Sequence, residues 1–211
     1  MTTNKVLTRI HFAQILITCV IAGIGYLMLD QNQMVPIHWN IWGEVDNQWP
    51  AKWALLIGPT FAIVFLGIFA AIGTKEEGSW LPPLTSTILA LAILIEAIIL
   101  LSGQGAELNV PRLVTIAVGL LLIVVGNYLP KSQPNKTFGI RFPWTLNNPK
   151  VWARTNLFAG WFFMLVGAVC ALFAAVLNVA ASIYFAILIA GVLAAIIIIS
   201  VYSYQLSKSA S

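Results

Sequence analysis

Apolar residues fall in six long runs, near 9–29, 53–73, 84–102, 112–129, 157–177 and 182–204, and the polar positions crowd into the gaps. Each run is close to the roughly 20 residues a helix needs to cross the hydrocarbon core of a bilayer. The pattern predicts an all-α, polytopic transmembrane helical bundle of six spans. The gaps carry their own stop signals: 30–50 is polar and aromatic, 73–83 is short, charged and closed by Pro82 and Pro83, and 103–111 holds Gly103, Gly105, Asn109 and Pro111. The shortest break lies around 178–181. Without it, 158–204 would form a single helix of about 70 Å, far too long for one crossing, so a tight helical hairpin is expected at Asn178. Lys5 and Arg9 precede the first run as they would in a signal peptide, but no small-x-small cleavage pattern precedes Asp30, and a retained first helix is expected.

Composition agrees with lipid as the solvent: 60% of the 211 residues are hydrophobic and 9% are charged, too few to clothe a water-soluble surface. Six spans and their loops use nearly the whole chain and leave no room for a separate soluble domain. The expected organisation is a two-span N-terminal unit (1–73), a central helical hairpin (74–129), a basic loop (130–156) and a C-terminal helical hairpin (157–211). Lys and Arg set the orientation. With the N-terminus inside, Lys5, Arg9, Lys75, Lys131, Lys136, Arg141, Lys150, Arg154 and Lys208 are cytoplasmic, against Lys52 and Arg112 outside; the positive-inside rule therefore puts both termini in the cytoplasm of a bacterial inner-membrane protein. The net charge of +4 then reports topology and anionic lipid rather than nucleic acid. Cys19 and Cys170 lie inside apolar runs and are read as packing residues, not a disulfide.

Two loops are not generic. In 36–53, four tryptophans, His38, Glu44, Asp46 and Lys52 are packed together. One account is a loop lying in the headgroup region, where tryptophan concentrates, with turns set by Gly43 and Pro50. The other is a hydrogen-bonded turn that presents aromatic rings to a ligand outside, suited to peptide or lipid recognition. Spacings of six and two residues between His38, Glu44 and Asp46 match no zinc or calcium pattern, so neither a metal nor another cofactor is expected. The second loop, 126–156, holds five basic residues, no acid and four prolines, Pro130, Pro134, Pro143 and Pro149. Charge and aromatics would suit anionic lipid, while the prolines imply a shaped path. Asn148 and Pro149 read as the N-cap and first position of a helix that places Lys150 and Arg154 on one face, where with Lys136 and Arg141 they form an anion-binding surface. Glu96 is a charge inside a span and must face the bundle, with Arg112 or His38 as its expected partner; Asn127, at the end of the fourth run, raises the same question.

These motifs resemble a known family. Pro36-x-His38-Trp39-Asn40-x-x-Gly43-x-x-Asp46-x-x-Trp49-x-x-Lys52 is similar to the outer-loop signature of SdpI-type immunity proteins. Gly126-Asn127, Lys131, Asn135, Gly139-Ile140-Arg141, Pro143-Trp144-Thr145-Leu146, Trp152 and Thr155-Asn156 resemble the family's second signature. Phe142 and Leu157 depart from it. The resemblance spans essentially the whole chain and implies a non-enzymatic, multi-pass protein that protects against a secreted antimicrobial peptide and signals to a cytoplasmic repressor. The outer ligand site implied is His38, Trp39, Asn40, Gly43, Glu44, Asp46, Trp49 and Lys52, with Asn127, Lys131, Asn135, Gly139, Arg141, Pro143, Trp144, Thr145, Trp152 and Asn156 as the inner motif. Two alternatives stay open: a transporter of a hydrophobic peptide or lipid with Glu96 as its proton-coupled group, and a membrane-face enzyme using His38, Glu44 and Asp46.

Overall fold

A computed structural model describes residues 8–73 and 79–209; Lys5 and Lys75, which count toward the orientation, lie outside these. The chain is mostly helical, with α1 (Arg9–Met28), α2 (Ala51–Ala54), α3 (Ile57–Gly73), α4 (Leu81–Gly103), α5 (Val110–Tyr128), α6 (Pro143–Leu146), α7 (Pro149–Val176) and α8 (Ala181–Ser209). Among the described residues six helical stretches are long and apolar enough to cross a membrane, α2 with α3 counting as one. Two features go beyond the apolar pattern: an antiparallel pair of strands, β1 (Met34–Trp39) and β2 (Val45–Pro50), between α1 and α2, and the division of the chain into two compact units.

The first unit gathers α1 to α4, the two strands, the start of α5 and Ala180–Ser182. Its helices meet along small residues: Ala62, Leu89 and Ala92 are fully buried, with Ile15, Phe61 and Leu66 packed on them. Polar groups join α1 to α4. The Nδ1 of His11 accepts the Thr8 backbone N–H at 3.2 Å, while Nε2 lies 3.1 Å from the Pro82 carbonyl. Since a backbone N–H only donates and a carbonyl only accepts, the ring is the neutral Nε2–H tautomer and bonds both neighbours. Gln14 donates to the Ser86 carbonyl four residues further along.

The second span is interrupted at Leu55 and Leu56, between α2 and α3. An interruption frees backbone N–H groups at the new helix start, and within lipid these need a partner from the protein. Pro59 has no N–H to satisfy, and that of Gly58 is taken by the buried Glu96 carboxylate, with Oε2 at 3.0 Å. A Cβ on Gly58 would stand 2.5 Å from that oxygen, so only glycine admits the bond. Glu96 therefore acts as the cap of α3, and its partner is a backbone amide, not Arg112 or His38.

In the second unit, α5 and α7 run at backbone contact. Gly119 and Gly126 on α5 face Gly167 and Gly160 on α7: a Cβ on Gly126 would lie 2.6 Å from the Gly160 carbonyl oxygen, and one on Gly119 would lie 2.7 Å from that of Gly167. Both pairs repeat every seven residues, which keeps them on one helix face. Small residues at such a seam let helices associate by close packing where lipid removes the hydrophobic drive between them. The connection from α7 to α8 is as tight as the apolar pattern requires. The buried Tyr184 hydroxyl donates to the Leu177 carbonyl at 2.7 Å and accepts the Val179 N–H at 3.1 Å. At 28 residues α7 is about 42 Å long, longer than the roughly 30 Å hydrocarbon core.

Valine at Gly126 forces α5 and α7 apart and is expected to cost about 1–3 kcal/mol, lowering the thermal midpoint followed by circular dichroism in maltoside micelles. Valine at Gly23, where a Cβ meets nothing within 4 Å, leaves the midpoint unchanged.

Candidate functional site

The β1–β2 hairpin forms the first site element. Its turn is a five-residue clasp built on Asn40: the Asn40 N–H donates to the Glu44 carbonyl and the Gly43 N–H to the Asn40 carbonyl, both at 2.9 Å. The Asn40 side-chain oxygen accepts from the Trp42 and Glu44 amides, and its NH2 donates to the Glu44 carboxylate at 2.9 Å. Gly43 closes the turn at φ +81°, and a Cβ there would stand 3.0 Å from that of Ala181, so conformation and space both call for glycine. On the register of its neighbours His38 would face Asp46, but an irregularity shifts its backbone partner to Asn47. The side chains still meet, with His38 Nδ1 2.6 Å from an Asp46 oxygen and both exposed.

The hairpin is anchored from below. Val35 is fully buried with Leu29, Ala51, Ala54, Leu55 and Ile99. Gln33 donates to the Gly103 carbonyl at 2.6 Å and accepts the Ala51 N–H through its own carbonyl. Lys52 is held at both ends: Nζ donates to the Asn32 side chain at 3.0 Å, and its carbonyl accepts the Tyr26 hydroxyl at 2.7 Å. The eight residues expected at this site therefore divide by task. Asn40, Gly43 and Glu44 shape the turn, Lys52 ties the base, and His38 with Asp46 forms an exposed pair. Trp49 lines an apolar groove of about 780 Å³ with Trp53, Phe61 and Phe65, whereas Trp39 and Gly43 line a mixed pocket of about 580 Å³ against the α4–α5 connection. Glu107 and Trp42 also line this pocket; neither belongs to the expected set, because nothing in local spacing links Glu107 to a loop more than sixty positions earlier. Among the described residues no three His, Cys, Asp or Glu side chains converge as a metal site would need.

The second element is the basic loop of the second unit, and most of its motif is internal scaffolding. Asn135 makes four bonds, accepting from the Thr137 and Phe138 amides and donating to the Gln133 and Phe138 carbonyls. Gly139 stands at φ +125° against the buried Trp152 ring, which a Cβ would approach to 2.6 Å. Trp152 donates its indole N–H to the Ser132 carbonyl at 2.9 Å, and Asn156 accepts the Ile140 N–H at 2.8 Å while donating to the Trp152 carbonyl. Thr145 is buried and lies 2.7 Å from the Ile140 carbonyl. Pro143 opens α6, and Trp144 bonds Ser203 of α8 at 2.8 Å and stacks on Phe142. Asn148 caps α7 as expected, accepting from the Lys150 and Val151 amides, with Pro149 next. What this scaffold exposes is charge: Lys131, Lys136, Arg141, Lys150 and Arg154 are all at the surface. Arg141 is steadied by the Lys136 carbonyl, and Lys131 reaches the Asn127 side chain at 3.4 Å and lies over the Tyr128 ring.

Comparison with known proteins reaches the basic loop through a family model. The model of the SdpI/YfhL protein family matches residues 131–203. The chain is also similar to Immunity protein SdpI of Bacillus subtilis (strain 168), at 33% identity over 179 residues, 82% of this chain and 84% of that protein. No solved structure gives a significant match.

Leucine in place of the buried Asn156 strands the partly buried Ile140 N–H and is expected to cost about 1–3 kcal/mol, seen as a lower unfolding midpoint in micelles. Alanine in place of the exposed Lys150 leaves the midpoint where it was.

Proposed function

This chain belongs to the SdpI/YfhL protein family, and from that premise we propose that it is a bacterial inner-membrane immunity protein whose hairpin faces outward and binds a peptide toxin. The observation that carries the reading is the likeness to Immunity protein SdpI along four-fifths of the chain. A ligand outside would meet the exposed Trp42, Trp49 and Trp53 rings and the His38–Asp46 pair, a surface rich in the large, rigid side chains that dominate binding energy. The Lys and Arg distribution supports the orientation, placing Lys131, Lys136, Arg141, Lys150 and Arg154 inside. There they engage anionic lipid headgroups or an acidic face of a cytoplasmic repressor that carries the signal. The buried Glu96 favours a structural role over proton-coupled transport, since its carboxylate holds the α3 start.

The test is survival. Expressed in a bacterium sensitive to the secreted peptide, the intact chain is expected to protect, and alanine at both His38 and Asp46 is expected to lower the surviving fraction by at least about tenfold at equal membrane abundance. Undiminished protection by the double variant would take this pair out of the mechanism.

A further inference from the structure

The pocket beneath the hairpin turn has walls set before any ligand arrives. On one side, α4 ends in a Schellman motif: Gly105 sits at φ +86°, its N–H donates to the Ser102 carbonyl, and the Ala106 N–H donates to the Leu101 carbonyl, both at 3.0 Å. Four residues later the Asn109 side chain caps α5 by accepting the Arg112 N–H at 3.1 Å. The short segment between these fixed ends carries Glu107. On the other side stands the Asn40 clasp, with Gly43 seated against Ala181 and Pro111. Its volume of about 580 Å³ falls within the range of small-ligand sites.

The chemistry of this pocket is one-signed. Trp39, Trp42 and Glu107 are among its lining residues, and no Lys, Arg or His lines it. Other acids of the hairpin face are already engaged: Asp46 with His38, Glu44 with Asn40, and Asp30 with the Asn32 amide. Glu107 makes no hydrogen bond or ion pair among the described residues. Aromatic faces attract cations through their quadrupole, and an unengaged carboxylate beside them adds the counter-charge. Resting on the peptide-binding reading above, we propose that this pocket takes a cationic side chain of the peptide, an arginine guanidinium or lysine ammonium, between Trp39, Trp42 and Glu107. The exposed apolar groove along Trp49, Trp53, Phe61 and Phe65 then lies on the same unit to receive the peptide's apolar part.

The test uses protein labelled with 5-fluorotryptophan in dodecyl maltoside micelles, which carry neither charge nor ammonium. It is titrated with the acetylated tripeptide amide Leu-Arg-Leu and with its citrulline counterpart, neutral and nearly isosteric. The fluorine resonances of Trp39 and Trp42, assigned with Trp39→Phe and Trp42→Phe, report occupancy. Half-saturation by the arginine peptide is expected at a concentration about three- to tenfold lower than for the citrulline peptide, and Glu107→Gln is expected to bring the two curves together. Equal curves in the unaltered protein, no response to either peptide, or discrimination that survives Glu107→Gln would overturn the proposal. Short-chain phosphatidylethanolamine forms the third arm: a Glu107-dependent response to this lipid with none to the arginine peptide would assign the pocket to a lipid ammonium and overturn the peptide assignment. Binding is read here without survival. Lost discrimination with intact protection therefore falls on the pocket, and lost protection with intact discrimination falls on the immunity reading.

Discussion

The structure depends on one rule of the hydrocarbon interior: a backbone amide released from its helix must find a partner within the protein. The second span breaks at Leu55 and Leu56, and Glu96 answers the break by accepting the Gly58 N–H. The short α2 above the break supplies Ala51 and Ala54, and with Leu55 they join Val35 of β1 in one buried cluster. The hairpin is therefore seated on the helices rather than tethered to them.

The basic loop lies outside the spans, yet its buried backbone groups are also paired within the protein. Asn135, Trp152 and Asn156 take up the polar backbone of a long irregular segment, and the prolines fix its path. Of its charged side chains, Arg141 bonds the loop backbone at the Lys136 carbonyl and Lys131 bonds the Asn127 side chain. Lys131, Lys136, Arg141, Lys150 and Arg154 are left at the surface, which is the arrangement expected where charge is to be read by a partner or a membrane surface. In both loops a few polar residues spent on geometry leave a different set free for contact.

The spans were legible in the sequence because each is a continuous apolar run, and Asn148-Pro149 was legible because capping is local. The hairpin was not, since Pro36, the tryptophans and the irregular register at His38 hide the alternation of a strand. The partner of Glu96 is a backbone amide and has no side-chain signature; the nearest signal was Gly58-Pro59 inside an apolar run. The facing glycines at 119, 126, 160 and 167 were visible as seven-residue spacings on two helices, but pairing them requires knowing that those helices touch. His11 belongs to the same class, because its second partner is the carbonyl of Pro82, seventy-one positions away. Family likeness singled out Asn135, Gly139, Trp152 and Asn156, and in the structure their contacts are with the loop itself.

The proposed orientation, hairpin outward and basic loop inward, is tested most directly by thiol labelling in intact cells. With Cys19 and Cys170 replaced by serine, the variants Asn47→Cys and Gln133→Cys are treated with a membrane-impermeant maleimide before and after permeabilisation. The Asn47→Cys variant is expected to label in intact cells and Gln133→Cys only after permeabilisation. Labelling of both from the same side, or of Gln133→Cys alone in intact cells, would contradict the orientation on which the functional reading stands.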